Sequence, residues 1–277
     1  EDFSLVSQIA SYEAIRPMYE AFRVNQPNTT GIVQWMLNSA WPETFWQLYD
    51  FYLQPTGAYF GTKKANEQVL GIYNYGDHGI YLVNDKRSQE DSVQISVEVF
   101  NTKSELLYQL DTALVNVSSG SHKIFNLNPT VDSTEFVFVT TTESNGVIHK
   151  IHKNNYWLSP VDDVVDPNYE NSSWVYTPNL SFCDFTALRN LKKVELKSKS
   201  IETADGMEIK LSNESTLIAF GVQARIIDAV TKEDIAPAIW SDNYIMLKGK
   251  ENQTLHVKFQ KEDGKTYEIV ITGMNLK

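Results

Sequence analysis

The chain contains little cysteine, no long apolar run and fewer basic than acidic residues. Cys183 is the single cysteine, which excludes an intramolecular disulfide, and a buried thiol is its expected state. No apolar stretch reaches the roughly 18 residues of a membrane span. The 24 Lys and Arg against 35 Asp and Glu give a net charge of −11. Nucleic acid is therefore not an expected partner, because phosphate binding needs clustered basic side chains.

The common catalytic and cofactor motifs are also missing from this sequence. It contains no phosphate-binding loop, no dinucleotide fingerprint and no Ser-His-Asp order. Its five histidines are scattered, so no metal site and no cofactor is expected. The apolar fraction of 42% is nevertheless sufficient for sizeable cores, and 277 residues predict two or three domains.

The first part of the chain has a helical period. Apolar residues between Leu5 and Phe22 recur at steps of three and four, which predicts an amphipathic helix with Ser4 as its N-cap. Pro17 interrupts this pattern. Because an interior proline removes a backbone hydrogen bond, we expect a kink there, or a second helix with Pro17 in its first turn.

The next segment combines a short apolar run with two helical patterns. Gly31–Leu37 has the composition of a strand that is buried on both faces, as in a parallel barrel. Thr44–Leu53 and Ala58–Glu67 are predicted as helices on either side of a turn at Pro55–Gly57. Most of the aromatic residues in the first of these helices, among them Tyr49, Phe51 and Tyr52, are expected in the core.

Beyond residue 67 the apolar period changes to two. Seven strands are predicted: Leu70–Asn74, Ile80–Val83, Val93–Phe100, Leu106–Leu110, His122–Leu127, Glu135–Thr140 and Val147–His152. Such a series is typical of an immunoglobulin-like sandwich. A second series comprises Lys193–Lys199, Glu208–Ser212, Leu217–Ile227, Tyr244–Leu247, Thr254–Gln260 and Tyr267–Thr272, with a hairpin signal at Lys261–Gly264. We therefore predict sandwiches at 68–160 and 181–277, joined by a connector at 161–180.

Several of these segments resemble one enzyme family. Residues 31–61 resemble the last strand and following loop of the catalytic barrel in glycoside hydrolase family 2, closest to its exo-β-glucosaminidase and β-mannosidase branches. Tyr156–Leu158, Trp174–Pro178 and Asp184–Leu188 resemble a junction between accessory domains in the first branch, and Trp240–Tyr244 resembles its last sandwich.

The resemblance implies that the chain is the C-terminal part of a larger enzyme. A complete barrel needs about 250 residues, whereas only about 30 precede Gly31. The expected fold is mainly β, with two immunoglobulin-like β-sandwiches preceded by a helical remnant of a (β/α)₈ barrel in residues 1–67. Pro17 departs from the helix-compatible residue that the family would place there.

The implied activity is that of a retaining exo-β-glycosidase. Such enzymes use two carboxyl groups about 5 Å apart. On the family's pattern both catalytic glutamates lie upstream of Glu1, so no catalytic residue is assigned in this chain. The expected substrate is a β-linked oligosaccharide of chitosan type, with a mannoside type as the alternative. Family membership also implies a periplasmic or secreted location.

Candidate substrate-binding residues lie at the end of the predicted barrel strand. Trp35, Asn38 and Trp41 offer indole faces for the C–H-rich faces of sugars and an amide for their hydroxyls. Trp35 has the alternative of filling the barrel core, and Trp41 that of locking a Trp-Pro turn. Glu43, near the start of the predicted helix, is interpreted as a favourable charge for that helix.

A different class of function also fits the sandwiches. The chain could be a non-catalytic carbohydrate- or protein-binding β-sandwich module, with residues 1–65 as an N-terminal cap, although this leaves the preceding Trp-ended strand unexplained.

In the barrel interpretation, Ile32, Val33, Trp35 and Leu37 would be incompletely covered, which predicts self-association or a shift away from barrel geometry. We further expect Trp157 and Trp174 to clamp the two sandwiches, with few other contacts between them.

Overall fold

The computed structural model describes residues 2–43, 47–88, 90–127, 132–144, 149–167 and 178–277. Its helices are α1 (Asp2–Val24), α2 (Gly57–Ala65) and a 3₁₀ helix at Thr186–Asn190. The strands are β1 (Val69–Asn74), β2 (Gly79–Asn84), β3 (Glu90–Asn101), β4 (Leu106–Val117), β5 (Gly120–Asn126), β6 (Glu135–Ser144), β7 (His149–Leu158), β8 (Val164–Val165), β9 (Asn179–Ser181), β10 (Lys197–Thr203), β11 (Gly206–Ser212), β12 (Ala219–Asp228), β13 (Ala238–Trp240), β14 (Ile245–Leu247), β15 (Asn252–Phe259) and β16 (Tyr267–Thr272).

The N-terminal helix is confirmed, and it is a single element. α1 continues through Pro17 to Val24, so the expectation of a second helix beginning near Pro17 is wrong. Burial of Ile9, Tyr12 and Tyr19 anchors the inner face of α1. Apolar burial on both sides of the proline stabilises the helix against the loss of one backbone hydrogen bond.

The predicted buried strand at Gly31–Leu37 is wrong. No strand is assigned there, and Val33 is 90% exposed. A barrel strand needs a hydrogen-bonded neighbour on each side, and the described residues supply only an isolated bridge between Asn38 and Tyr49. This outcome agrees with the expected shift away from barrel geometry.

The second helix of this region is confirmed, whereas the first is not. α2 begins at Gly57, one residue before the predicted start, and the Thr56 hydroxyl caps it by accepting from the Tyr59 N–H at 3.4 Å. Residues 47–53 form turns and isolated bridges, so the predicted helix Thr44–Leu53 is wrong over that range. Its first three residues, including Trp46, lie outside the described residues.

All seven predicted strands of the first series are present as β1 to β7. They form two antiparallel sheets with strand orders β1-β2-β5 and β4-β3-β6-β7. Inward-facing residues of both sheets, such as Val69, Ile80, Ile95 and Tyr156, make one buried core. Buried and half-buried positions alternate over the second half of β6 and the middle of β7, which agrees with the period of two in the sequence.

The strands of the second series are present, but β10 lies four residues later than the predicted Lys193–Lys199, and one predicted pairing is wrong. Sheet β10-β11-β15-β13 and sheet β14-β12-β16 enclose a core that contains Ile209, Phe220 and Val257. The predicted hairpin at Lys261–Gly264 is wrong, because β15 pairs with β11 and β13 whereas β16 pairs with β12. The turn therefore carries the chain from one sheet to the other. The three-residue strand β13 was not predicted.

The sandwiches contact each other more widely than predicted. Trp157 is buried and lies edge-on against Phe220, with ring centroids 5.1 Å apart, as expected of a clamp. Phe136 also packs on Phe220 at 5.5 Å, and the Ile218 N–H donates to Ser104 Oγ at 2.9 Å. The expectation of few other contacts is therefore wrong, and Trp174 lies outside the described residues.

The predicted fold class is confirmed: the protein is mainly β, with two sandwiches after a helical segment. No sheet of the described residues combines strands from both series. The boundaries at 67, 160 and 180 stay predictions. Short strands β8 and β9 pair within the connector. Within the described ranges, no helix is both long and apolar enough to cross a membrane.

Candidate functional site

The residues proposed for sugar binding lie in irregular structure within residues 31–43; we call residues 31–43 together with 47–56 the aromatic segment. Backbone hydrogen bonds hold its second half in place: Tyr49 N–H donates to the Leu37 carbonyl and Thr56 N–H to the Leu48 carbonyl, each at 2.9 Å. The Asp50 carboxylate accepts from the Gln54 N–H at 2.8 Å and closes a tight turn. The fixed part of the loop thus supports a more open first half.

All three predicted binding residues are exposed on this open half. Trp35 is 75% exposed and Trp41 is 64% exposed. Asn38 is exposed, and its amide nitrogen donates to the Ser39 carbonyl at 3.2 Å. The Trp35–Met36 peptide bond is cis. Trp35 does not plug a core in this chain. Its role as a sugar contact, like those of Asn38 and Trp41, stays a prediction.

The acidic residues of the aromatic segment have local structural partners. Glu43 accepts a hydrogen bond from the Gln47 side chain at 2.9 Å, and Asp50 caps the turn before Gln54. Neither residue faces a second carboxylate in the described part of the segment. The arrangement suits ligand contact rather than acid–base chemistry, for which paired carboxyl groups are required.

An aromatic ladder connects the segment with the C-terminal sandwich. Tyr49 packs on Tyr59 at 5.0 Å, Tyr59 on Phe60 at 5.0 Å, and Phe60 on Tyr244 at 5.7 Å between ring centroids. Burial, assisted by the Tyr59 hydroxyl, raises the pKa of Tyr49 to about 12, so this phenol is neutral.

The expectation that the neighbouring aromatics are core residues is only partly met. Tyr49 is half-buried in the ladder, whereas Phe51 and Tyr52 are exposed. The helix predicted to bury them does not form over residues 47–53. Phe51 and Tyr52 therefore join Trp35 and Trp41 as exposed aromatic residues of the aromatic segment.

A chain of charges runs past the end of α2. The Lys64 ammonium lies 2.7 Å from Glu67 and 3.1 Å from Asp242. Burial alone would lower the pKa of Lys64, but the charges of Asp242 and Glu67 outweigh it and raise that pKa. His152 contacts Glu67 through Nδ1 and Glu143 through Nε2, the latter at 2.5 Å. Asp242 lies in the C-terminal sandwich and His152 in β7 of the first sandwich. The network therefore joins the end of α2 to both sandwiches.

Sequence reasoning missed this network. Only the Lys64 and Glu67 spacing, three residues apart around the end of a helix, gives a local signal for an ion pair. Asp242 and His152 lie about 178 and 88 residues away from Lys64 in the chain, and nothing in the local sequence predicts their approach. The relevant information is tertiary.

Helix α1 buries charged as well as apolar side chains on its inner face and exposes further apolar side chains on its outer face. Arg16, Glu20 and Arg23 are buried against the first sandwich. The opposite face exposes large apolar side chains at helical spacing, namely Phe3, Val6, Met18 and Phe22, of which Phe3 is 81% exposed. A contiguous exposed apolar stripe of this kind is unusual for a free surface and marks an interaction face. We call this set the outer stripe of α1.

Fold and surface together define a class: an accessory region of two β-sandwiches, with an aromatic loop and an apolar helix face turned outward. Comparison with known proteins shows which enzymes the chain resembles. Residues 174–276 match the exo-beta-D-glucosaminidase Ig-fold domain. The exo-beta-D-glucosaminidase of Arthroderma benhamiae is 29% identical over 281 residues, which cover 100% of this chain and 31% of the relative. The Streptomyces avermitilis enzyme of the same name is 29% identical over 292 residues, covering 99% of this chain and 32% of the relative.

Structural comparison agrees. The crystal structure of the Amycolatopsis orientalis exo-chitosanase CsxA matches with a TM-score of 0.86 and 29% identity, covering 97% of this chain and 33% of that one. The predicted resemblance is confirmed: the chain is similar to exo-beta-D-glucosaminidases over nearly its whole length, in sequence and in structure. It spans about a third of the length of the relatives it matches.

Proposed function

We propose that this chain is the non-catalytic portion of a retaining exo-β-glucosaminidase, where it supplies the accessory sandwiches and part of the sugar-binding rim. The catalytic carboxylates would come from the remainder of that enzyme. The observation that carries the proposal is the outer stripe of α1, an apolar face that neither sandwich covers. A binding module that consists of the sandwiches alone would have no use for such a face.

The exposed apolar residues of the N-terminal region support a contact between this region and a further part of the enzyme. The outer stripe of α1 and the exposed apolar residues of the aromatic segment, including Val33 and Leu37, belong to the same N-terminal region. An apolar surface of this extent is stabilised when another apolar surface excludes water from it. The strands of a catalytic barrel present such a surface, and the relatives are about three times longer than this chain.

Within the assembled site, the aromatic segment would contact the substrate without taking part in bond cleavage. Trp35 would lie under the apolar face of a pyranose, and the Asn38 amide can both donate to and accept from its hydroxyls. The two carboxyl groups that protonate the leaving group and attack the anomeric carbon need a separation of about 5 Å. We assign neither role to an acid of this chain.

Glucosamine is the sugar that we favour over mannose. The curated relatives discussed above are all exo-beta-D-glucosaminidases, and the solved relative is an exo-chitosanase. Glucosamine oligosaccharides carry protonated amines, and the net charge of −11 favours their approach over long range. A polymer of this kind is met outside the cytoplasm, which fits a periplasmic or secreted enzyme.

An activity assay tests the non-catalytic part of the proposal. Incubation of this chain with p-nitrophenyl β-D-glucosaminide should release nitrophenol at the rate of the buffer alone. Turnover that disappears when a single acidic residue of this chain, such as Glu43, is replaced by glutamine would contradict the proposal. The same assay with the β-mannoside should likewise give the rate of the buffer alone.

A binding experiment tests the rim. Saturation-transfer NMR with a glucosamine disaccharide should give a signal with the wild-type chain and a weaker one with W35A and with W41A. F182A is the matched control. Phe182 is an exposed aromatic residue that directly follows β9, and it lies outside the aromatic segment. Equal signals from all four proteins would remove Trp35 and Trp41 from the proposed rim.

A further inference from the structure

We propose that the loop Trp240–Tyr244 of the C-terminal sandwich, the docking loop, is a positioning element that fixes the aromatic segment through helix α2. The relevance of this proposal to sugar binding rests on the function proposed above. The coupling between the docking loop and the aromatic segment can be measured without any sugar. It assigns a role to the conspicuous run Trp-Ser-Asp-Asn-Tyr, which the sandwich fold by itself does not explain.

The docking loop holds the two lysines near the end of α2. Asp242 forms an ion pair with Lys64 at 3.1 Å, with side chains 21% and 10% exposed respectively. The Lys63 ammonium donates to the Trp240 carbonyl at 2.5 Å. Burial lowers the pKa of Lys63, which Asp242 partly counteracts. Two adjacent cations are thus directed at one short loop, and they fix the end of the helix.

The same loop also supplies the apolar end of the ladder. The Tyr244 ring packs against Phe60 on α2, and its hydroxyl accepts from the Gln223 amide at 2.8 Å. Phe60 in turn packs on Tyr59, and Tyr59 on Tyr49 of the aromatic segment. A displacement of Tyr244 would therefore be transmitted through three packed rings to the loop that carries the predicted sugar contacts.

The docking loop is itself rigidly attached to the sandwich. The Asn243 amide nitrogen donates to the Ala224 carbonyl and its oxygen accepts from the Ala224 N–H, each at 2.8 Å. Asn243 therefore takes both backbone groups of a residue in central strand β12. Because β12 has partners on both sides, β14 and β16, the loop has a fixed base from which to position α2.

A second contact reaches the aromatic segment directly. The Gln54 side chain donates to the carbonyl of Ile235, which precedes β13 in the C-terminal sandwich, at 3.2 Å. Gln54 closes the turn capped by Asp50, and the Tyr49 N–H bond to Leu37 links that turn to the first half of the segment. The segment is thus held at its base by α2 and at its turn by Gln54.

Hydrogen exchange of the whole 277-residue chain tests the coupling. We would compare wild type with D242N, K64M and the conservative variant D242E. The control is D205N, which removes an exposed ion pair with Lys258 in the same sandwich. The amides of Tyr49, Asp50 and Thr56 report on the aromatic segment, and those of β12 report on the sandwich itself.

The expected result is local. Exchange at Tyr49, Asp50 and Thr56 should be about tenfold faster in D242N and in K64M, and unchanged in D205N, with β12 unaffected in every variant. The double variant D242N/K64M should resemble K64M, because K64M already removes the contact between Lys64 and Asp242. D242E should restore part of the protection. Unchanged exchange in D242N, or faster exchange throughout β12, would overturn the proposal.

Sugar binding by wild type and D242N separates this inference from the proposed function. If the wild-type chain does not bind p-nitrophenyl β-D-glucosaminide while the local exchange effect is present, the positioning inference stands and the sugar-binding role fails. If the wild type binds, D242N should bind more weakly. Equal affinity together with equal exchange would contradict the positioning role.

Discussion

The guanidinium of Arg16 lies over the ring of Tyr156, with its carbon 3.9 Å from the ring centroid. Arg16 is fully buried in α1, donates to Asn154 Oδ1 at 3.1 Å and forms an ion pair with Glu13 at 2.6 Å. A cation, an aromatic face and a carboxylate therefore share one desolvated contact between helix and sandwich. These polar contacts add to the apolar ones, such as Tyr12 on Trp157 at 6.3 Å between ring centroids, that hold α1 to the first sandwich.

Replacing Arg16 with methionine should destabilise the protein strongly. The change would leave Glu13 and Glu20 without their buried counter-charge, and losses of about 3–5 kcal/mol follow when one partner of a buried pair is removed. Urea unfolding gives the free energy. The control is R225M, because Arg225 pairs with Asp234 in an exposed position where about 0–1 kcal/mol is expected. Similar losses in both variants would contradict the role assigned to Arg16.

Glu67 should make folding stability depend on acid pH. Burial would raise the pKa of Glu67, but the hydrogen bond with His152 and the charge of Lys64 lower it to about 2. The stabilisation is therefore complete above the ordinary value of 4.5 and is lost as the pH falls towards 2. The stability difference between wild type and E67Q should shrink between about pH 6 and about pH 3, by about 2 kcal/mol.

Urea titrations of both proteins across that range measure the effect. E268Q is the matched control, since Glu268 pairs with Lys232 at 2.5 Å in an exposed position and should give a nearly constant, small difference. A difference between wild type and E67Q that does not vary with pH would show that the Glu67 carboxylate is not stabilised by the fold.

Asn213 should be a second sensitive polar position. Its buried amide nitrogen donates to the carbonyls of Leu217 at 2.7 Å and Lys248 at 3.0 Å, and its oxygen accepts from the Ser215 N–H. N213A would leave these backbone groups unsatisfied, at about 1–3 kcal/mol in unfolding free energy. Asn252, exposed at the start of β15, is the control, and N252A should change stability by less than about 0.5 kcal/mol. Equal effects would contradict the assignment.

The outer stripe of α1 should make the isolated chain associate with itself. Sedimentation velocity of the wild-type chain should give a sedimentation coefficient that rises with concentration. The double variant V6E/M18E should remain monomeric, because charges on the stripe oppose its burial. V230E adds a charge at a highly exposed apolar position of the C-terminal sandwich and should behave like wild type. Association that persists in V6E/M18E would direct attention to another surface.

Sequence reasoning succeeded where a local apolar pattern coincides with an element that the fold keeps. Both strand series and helix α2 could be predicted, since each follows a local period that the structure preserves. It failed at Gly31–Leu37, whose composition suits a buried strand while the described chain supplies no neighbouring strands for it. It also failed at Lys261–Gly264, because turn residues indicate a reversal but not which sheet receives the next strand.

The candidate site divides in the same way. Trp35, Asn38 and Trp41 could be proposed from residue chemistry alone, and they lie on one exposed loop. The contacts of Asp242 with Lys64, and of His152 with Glu67, join residues that are far apart in the chain. In the sequence these charged residues cannot be distinguished from ordinary surface charges, because their burial depends on the tertiary structure.

Helix α1 also bears on how freely such sandwiches can be moved between proteins. Glu20 of α1 accepts hydrogen bonds from Asn154 at 2.7 Å and from the Tyr156 hydroxyl at 3.1 Å, and both donors are buried in β7. A first sandwich that is transplanted without its helix would lose the carboxylate to which the Tyr156 hydroxyl donates, and Asn154 would keep only its acceptors within the sandwich, such as the Gly71 carbonyl. Gene fusion or recombination that conserves this domain must therefore carry α1 with it, and the unit that is inherited intact is the helix together with the sandwich.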